Sequence, residues 1–160
     1  MSILVWLVLL LLVVAHFVLH VGLSIALAAP DLLTIAVLIA ARGLRMGGAA
    51  TMGALLGLLE DALSVLSFGA NSVALAITGA VASRTRDLFV GDSLLFGVSY
   101  LLLGKWLRDL VHWFAVGSDL REPFVDAMLI QSGVASVYVA IVGLALLWLT
   151  GLTWEPGKAD

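Results

Sequence analysis

Ala49-Ala50-Thr51-Met52-Gly53-Ala54-Leu55-Leu56-Gly57-Leu58-Leu59-Glu60-Asp61 carries small residues at 49, 53 and 57 and an acid at 61, each four positions apart. At a helical period that spacing keeps all four on one slowly drifting face. Ala49, Gly53 and Gly57 have little or no side chain, so a second helix can approach the backbone closely along them. Asp61 ends the stripe with a carboxylate at the end of an apolar segment, where a charge is expensive and usually has a task. The stripe therefore predicts packing of a helix, either a partner protein's or the chain's own fourth, or a small buried polar site with Asn71, rather than catalysis.

The rest of the chain fits a helix bundle in lipid. Of 160 residues, 62% are hydrophobic and 12% charged, and the mean hydropathy is +1.17. A soluble domain would carry roughly a quarter of its residues as charges. The composition predicts an integral membrane protein with a single domain over residues 1–160 and little outside the bilayer. With no cysteine, disulfides and thiolate metal sites are excluded. A net charge of −3 with eight Lys and Arg argues against nucleic acid as a partner.

Working outward, apolar runs and breakers predict six helices, over about 3–22, 31–44, 47–60, 70–83, 92–110 and 124–149. Ala26-Leu27-Ala28 resembles a signal-peptidase site, but the start lacks a basic region and its apolar run exceeds a typical signal core. The first helix is therefore expected to be retained. Pro30-Asp31 suits the start of the second helix, since proline fits the first turn and an acid fits the N-terminus. The second and third helices are short for a hydrocarbon core of about 30 Å, so either the bilayer thins around them or neighbouring helices shield them.

Arg42, Arg45, Arg84, Arg86 and Lys158 fall on the side of the N-terminus, whereas Asp31, Glu60, Asp61, Asp119 and Glu122 fall on the other. Arg121, Lys105 and Arg108 are exceptions on the acidic side. The positive-inside rule then puts both termini in the cytoplasm of a six-transmembrane-helix, all-α polytopic bundle. Trp6, Trp148 and Trp154 are expected at the cytoplasmic interface, and Trp106 and Trp113 at the outer one.

Reactive constellations are sparse. His16 and His20 have the spacing of two metal ligands, but His112 is the one other histidine, and interfacial histidines explain them without a metal. Glu60 and Asp61 lack the chain of acids through the bilayer that a proton relay needs. Ser64, Ser67 and Asn71 follow Asp61 closely and are placed to hydrogen-bond to it or bind something small, and helix or loop capping explains them equally well. Arg108-Asp109 reads as a surface pair near the outer acids, worth little on its own. Further small-residue stripes, Ala70/Ala74/Thr78/Ala82 and Ser132/Ser136/Ala140, read as bundle packing. Arg42, Arg45, Arg84 and Arg86 form a candidate cytoplasmic contact patch for an acidic partner or lipid head groups. No nucleophile–base pair or phosphate loop emerges, so neither an enzyme nor a cofactor or metal site is expected.

The order Pro30-Asp31-Leu32-Leu33, Gly53-x-x-x-Gly57-x-x-x-Asp61, Ser64 and Phe68-Gly69-Ala70-Asn71 resembles the rod shape-determining protein MreD family. Asp109 and Trp113 are weaker echoes. The resemblance implies a non-enzymatic scaffold in the bacterial inner (plasma) membrane that serves cell-wall elongation and rod shape. Its implied partner is the transmembrane helix of MreC, with RodA, its transpeptidase and MreB as further candidates and membrane lipid around it. Glu60, beside Asp61, departs from the family pattern, and no basic tail precedes the first helix. The family is also similar in fold to substrate-binding subunits of energy-coupling-factor vitamin transporters. In that alternative the outer acids and Asn71 would line a vitamin pocket.

Overall fold

A computed structural model describes residues 2–19, 31–63, 67–85 and 94–150. The described residues are all-helical, with six helices in the order α1 Ile3–Phe17, α2 Leu32–Gly43, α3 Met46–Asp61, α4 Ala70–Thr85, α5 Leu94–Ala115 and α6 Ser132–Thr150. A short 3-10 turn, Ser118–Leu120, follows α5, and a π-helical segment, Asp126–Gln131, leads into α6. The elements match the sequence expectation closely except in α5, which runs on to Ala115. The expected end of the first helix near residue 22 and the start of the fifth at 92 lie outside the described residues.

Helix α2 is the centre of the molecule. Every residue from Leu32 to Ala41 is buried, and α1, α3, α4, α5 and α6 all pack around it. Its twelve residues give a length of about 18 Å at 1.5 Å per residue. Its neighbours shield this helix, whereas Met46, Leu55, Leu58 and Leu59 of α3 are exposed.

Glycines set the crossings. An added Cβ at Gly104 of α5 would lie 2.5 Å from Leu38 Cδ2 of α2, and one at Gly143 of α6 would lie 2.8 Å from Leu101 Cδ1 of α5. Beside the first crossing, the Tyr100 hydroxyl donates to the Leu38 carbonyl at 2.9 Å. Gly69 has φ +94°, a left-handed conformation that favours glycine. It reverses the chain just before α4, where Ala70 N–H meets Ser67 O at 3.1 Å.

Polar and apolar groups are distributed against the soluble pattern. Thr34, Asp61 and Thr78 are fully buried, and Lys105 is 6% exposed. Ile3 and Trp148 are about four-fifths exposed, and Val134, Ile141 and Leu149 are also on the surface. The segment Asp126–Thr150 is long and apolar enough to cross a membrane. The apolar helices Ile3–Phe17 and Leu32–Gly43 are shorter.

Candidate functional site

Asp31 stands just before α2, where the first-turn N–H groups have no helical partner. Its carboxylate accepts from Thr34 N at 2.9 Å and from the Thr34 hydroxyl at 2.6 Å. The cap fixes the acid at one end of the central helix, facing α5. On α5, Lys105, Arg108 and Asp109 share one face through i, i+3 and i, i+4 spacing. Lys105 Nζ lies 3.1 Å from Asp31 and 2.5 Å from Asp109. Burial opposes ionisation of Asp31, but the Lys105 and Arg108 cations and the Thr34 hydrogen bonds outweigh it and hold the carboxyl well below the usual range.

Arg108 joins the most elements. Its Nη2 donates to both Glu60 carboxylate oxygens, at 3.2 and 3.3 Å, and to Asn71 Oδ1 at 2.7 Å. Its Nη1 reaches Asp109 at 3.2 Å, and Nε lies 3.7 Å from Asp31. A planar guanidinium can serve these directions together, as an ammonium cannot. Asp109 Oδ2 in turn accepts from the Ser132 hydroxyl at 2.8 Å. The network therefore links the start of α2, the end of α3, the start of α4, the middle of α5 and the start of α6.

Asp61 has a separate task. It accepts from Asn71 N at 3.1 Å, Ser72 N at 2.9 Å and the Ser72 hydroxyl at 2.6 Å. These N–H groups are the unpaired donors of α4's first turn, and an anion there also meets the positive end of the helix dipole. Asp61 is thus the distant N-terminal cap of α4.

The Ala49–Gly53–Gly57 face is closed by the same helix. A Cβ at Gly53 would lie 2.2 Å from Leu75 O, and one at Gly57 would lie 2.5 Å from Asn71 O. Reciprocally, a Cβ at Gly79 would lie 2.5 Å from Ala49 O. The stripe leaves no groove for a separate partner helix, because α4 fills it. The stripes of α4 and α6 are buried too.

The reading of Arg108-Asp109 as a surface pair is corrected: their side chains are 11% and 13% exposed. Its depth comes from α5 continuing past Arg108 and from cover by the other helices. Arg42, Arg45 and Arg84 lie at the opposite end, where the Ser83 hydroxyl donates to Leu44 O at 2.7 Å and brings the end of α4 to the α2–α3 turn. Arg45 and Arg84 are exposed there and Arg42 is half-buried. Arg86, like His20 and Ser64, lies outside the described residues. His16 is buried on α1, and among the described residues no three metal-ligating side chains cluster.

A cavity of about 550 Å³ opens between α5, the 116–122 loop and the π-helical segment. Lys105, Asp109 and Ser132 line it on the side of the ion network. Its rim is held by Arg121, whose Nη2 donates to Phe114 O and Val116 O at 3.1 and 2.9 Å. The guanidinium also lies 4.5 Å above the Trp113 ring. Trp113 Nε1 donates to Glu122 O at 2.9 Å, and Gln131 Nε2 to Glu122 Oε2 at 2.6 Å. Trp106 Nε1 reaches Met128 O, a carbonyl within the π-helical segment, at 3.3 Å. Sequence reasoning missed this cavity and the part of Arg121 in it. Asn71, expected to line a pocket, is occupied by Arg108 and is not on the lining. Comparison with protein-family models, with curated proteins and with solved structures found no match to this chain.

Proposed function

We propose that all six helices cross a bacterial inner membrane and that the chain is a non-enzymatic scaffold of the MreD type, holding MreC in the cell-wall elongation complex. The observation that carries the membrane reading is the extent of exposed apolar surface, together with several polar groups in the interior. Asp61, Asn71, Lys105 and Ser132 are buried while Ile3, Leu11, Val134, Ile141 and Trp148 face outward. Water would penalise that surface and lipid favours it. Arg42, Arg45 and Arg84 at one end and Asp31, Glu60 and Glu122 at the other support cytoplasmic termini by the positive-inside rule.

The scaffold reading rests on the resemblance together with the ion network, which ties five helices into a body able to present a fixed outer surface. Since α4 covers the α3 stripe, a partner helix must dock on the outward apolar surface. Lipid offers no hydrophobic drive for such docking, so shape and a few polar contacts decide it.

The test uses the absence of cysteine in the sequence. Single cysteines at Gly47 in the basic end and at Asp119 in the 3-10 turn are labelled in intact cells with an impermeant maleimide. Labelling at 119 and protection at 47 support the orientation, and the reverse overturns it. Tagged protein in nanodiscs is then recovered with its partners for mass spectrometry. MreC with wall synthases supports the scaffold, while an ATPase module would replace it with the transporter-subunit reading.

A further inference from the structure

We infer that the cavity beside the ion network is a binding site for a small organic cation, an amine carried on an apolar body. Its volume of about 550 Å³ lies within the range of small-molecule pockets, roughly 300–1,000 Å³. The room comes from Ala127 and Ala135, which line it where larger residues would fill it. Trp113 and Met128 supply apolar wall. A π-helical turn in an otherwise regular helix often marks a functional site, and Asp126–Gln131 is such a turn on this wall.

Charge selects the ligand. Three carboxylates, Asp31, Glu60 and Asp109, share two cations, Lys105 and Arg108. On the rim, Arg121 and Glu122 offset one another. One negative charge is therefore left over, and Asp109 is the network carboxylate that reaches the cavity lining. Its Oδ1 is taken by Lys105 and Arg108, whereas among the described residues Oδ2 accepts from the Ser132 hydroxyl. An ammonium head hydrogen-bonded to Oδ2 balances the network. A carboxylate or phosphate head would instead add to the surplus negative charge of the network, although Lys105 and Arg121 also stand on the lining.

The ligand's apolar body then lies against Met128 and the edge of Trp113, because Arg121 already covers one ring face. The site does not depend on MreC or on any partner, so its test is separate from that of the scaffold.

The experiment titrates the full chain in phosphatidylcholine nanodiscs with 2-phenylethylammonium, followed by calorimetry and tryptophan fluorescence. The neutral 2-phenylethanol and the anionic 3-phenylpropionate run beside it. Saturable binding of the ammonium, about tenfold tighter than the alcohol as a charge-assisted hydrogen bond implies, is expected. Ala135→Phe, which fills the cavity, should abolish that binding without shifting thermal unfolding. Should Ala135→Phe fold poorly, Gln131→Trp at the exposed rim closes the mouth without touching the ion network. Equal binding of the three probes, preference for the carboxylate, or unchanged binding in the filled cavity overturns the proposal.

Discussion

Replacing Gly53 with alanine tests the α3–α4 seam most directly. The new Cβ would lie 2.2 Å from Leu75 O and 2.6 Å from the Leu75 carbonyl carbon, both backbone atoms that cannot rotate away. Ordinary contact starts at 3.4 Å, so α4 has to retreat by about 1 Å. Overpacking of this kind costs about 1–3 kcal/mol, and the gain in helix propensity offsets about 1 kcal/mol of it. Gly57→Ala is worse, since its Cβ would lie 2.5 Å from Asn71 O and Ser72 Cα, in the residues that Asp61 caps. Pushing them outward also loosens charged hydrogen bonds worth roughly 1.5–3 kcal/mol each. The expected order is a loss of about 0–2 kcal/mol for Gly53→Ala and about 2–4 kcal/mol for Gly57→Ala. Gly48→Ala, on the same helix with its nearest atoms at 3.8 and 3.9 Å, gains helix propensity without a clash and should be neutral or stabilised. Equilibrium unfolding of the three variants in mixed micelles, followed by tryptophan fluorescence, measures the order. A Gly53→Ala protein as stable as Gly48→Ala would refute the close approach of α4.

Three further outcomes follow from the buried polar groups. Asp61→Asn keeps the shape but trades the charged acceptor for a neutral one, and should cost about 1–2 kcal/mol as a lost helix cap does; unfolding midpoints of Asp61→Asn and Ser72→Ala, singly and combined, should be non-additive. Arg108→Met leaves Glu60 and Asp31 without their guanidinium and should cost about 3–5 kcal/mol, as breaking a buried pair does. Arg108→Lys should recover only part of it, and full recovery would show that the fork geometry is unimportant. Ser132→Ala removes one hydrogen bond to Asp109 and should cost about 1 kcal/mol, read as a shift in thermal midpoint; no shift would mean that α6 is not fastened there.

Much of the architecture was legible because breakers and charges punctuate long apolar runs. Asp31 could be read as a helix start from its type and position, and the cap on Thr34 is what that reading implies. The α3 stripe was legible as a packing face, since residues without side chains at i, i+4 serve little else in a helix. The fourth helix and a separate partner helix were both candidates for that face, and the sequence did not decide between them. Ala70/Ala74/Thr78/Ala82 and Ser132/Ser136/Ala140 offer comparable surfaces, and what singles out α4 is the return of the chain at Gly69 and the hold of Asp61 on its first turn. The depth of Arg108 was hidden for a similar reason. Adjacent Arg and Asp look alike at a surface and in a core, and burial here depends on four other helices. The cavity arises from a π-helical turn and from Arg121 reaching back to Phe114 and Val116, neither of which has a local sequence signal.

On the membrane reading proposed above, the few polar and small residues specify the fold more than the many apolar ones. In water, Leu and Ile are driven inward, and their pattern names the core. In lipid an outward Leu129 and an inward Leu33 are nearly equal in solvation, so hydrophobicity alone cannot orient a helix. What distinguishes one rotation from another is whether Asp61 reaches the start of α4, whether Gly53 and Gly57 let that helix close, and whether Arg108 meets its acids. Rotating α3 by half a turn would leave apolar contacts much as they are, yet it would expose a carboxylate to hydrocarbon and put leucines against Leu75. Exchanges among outward Leu, Ile and Val should accordingly be silent in unfolding measurements, while single-atom changes along the Gly53–Asp61 face are felt at once.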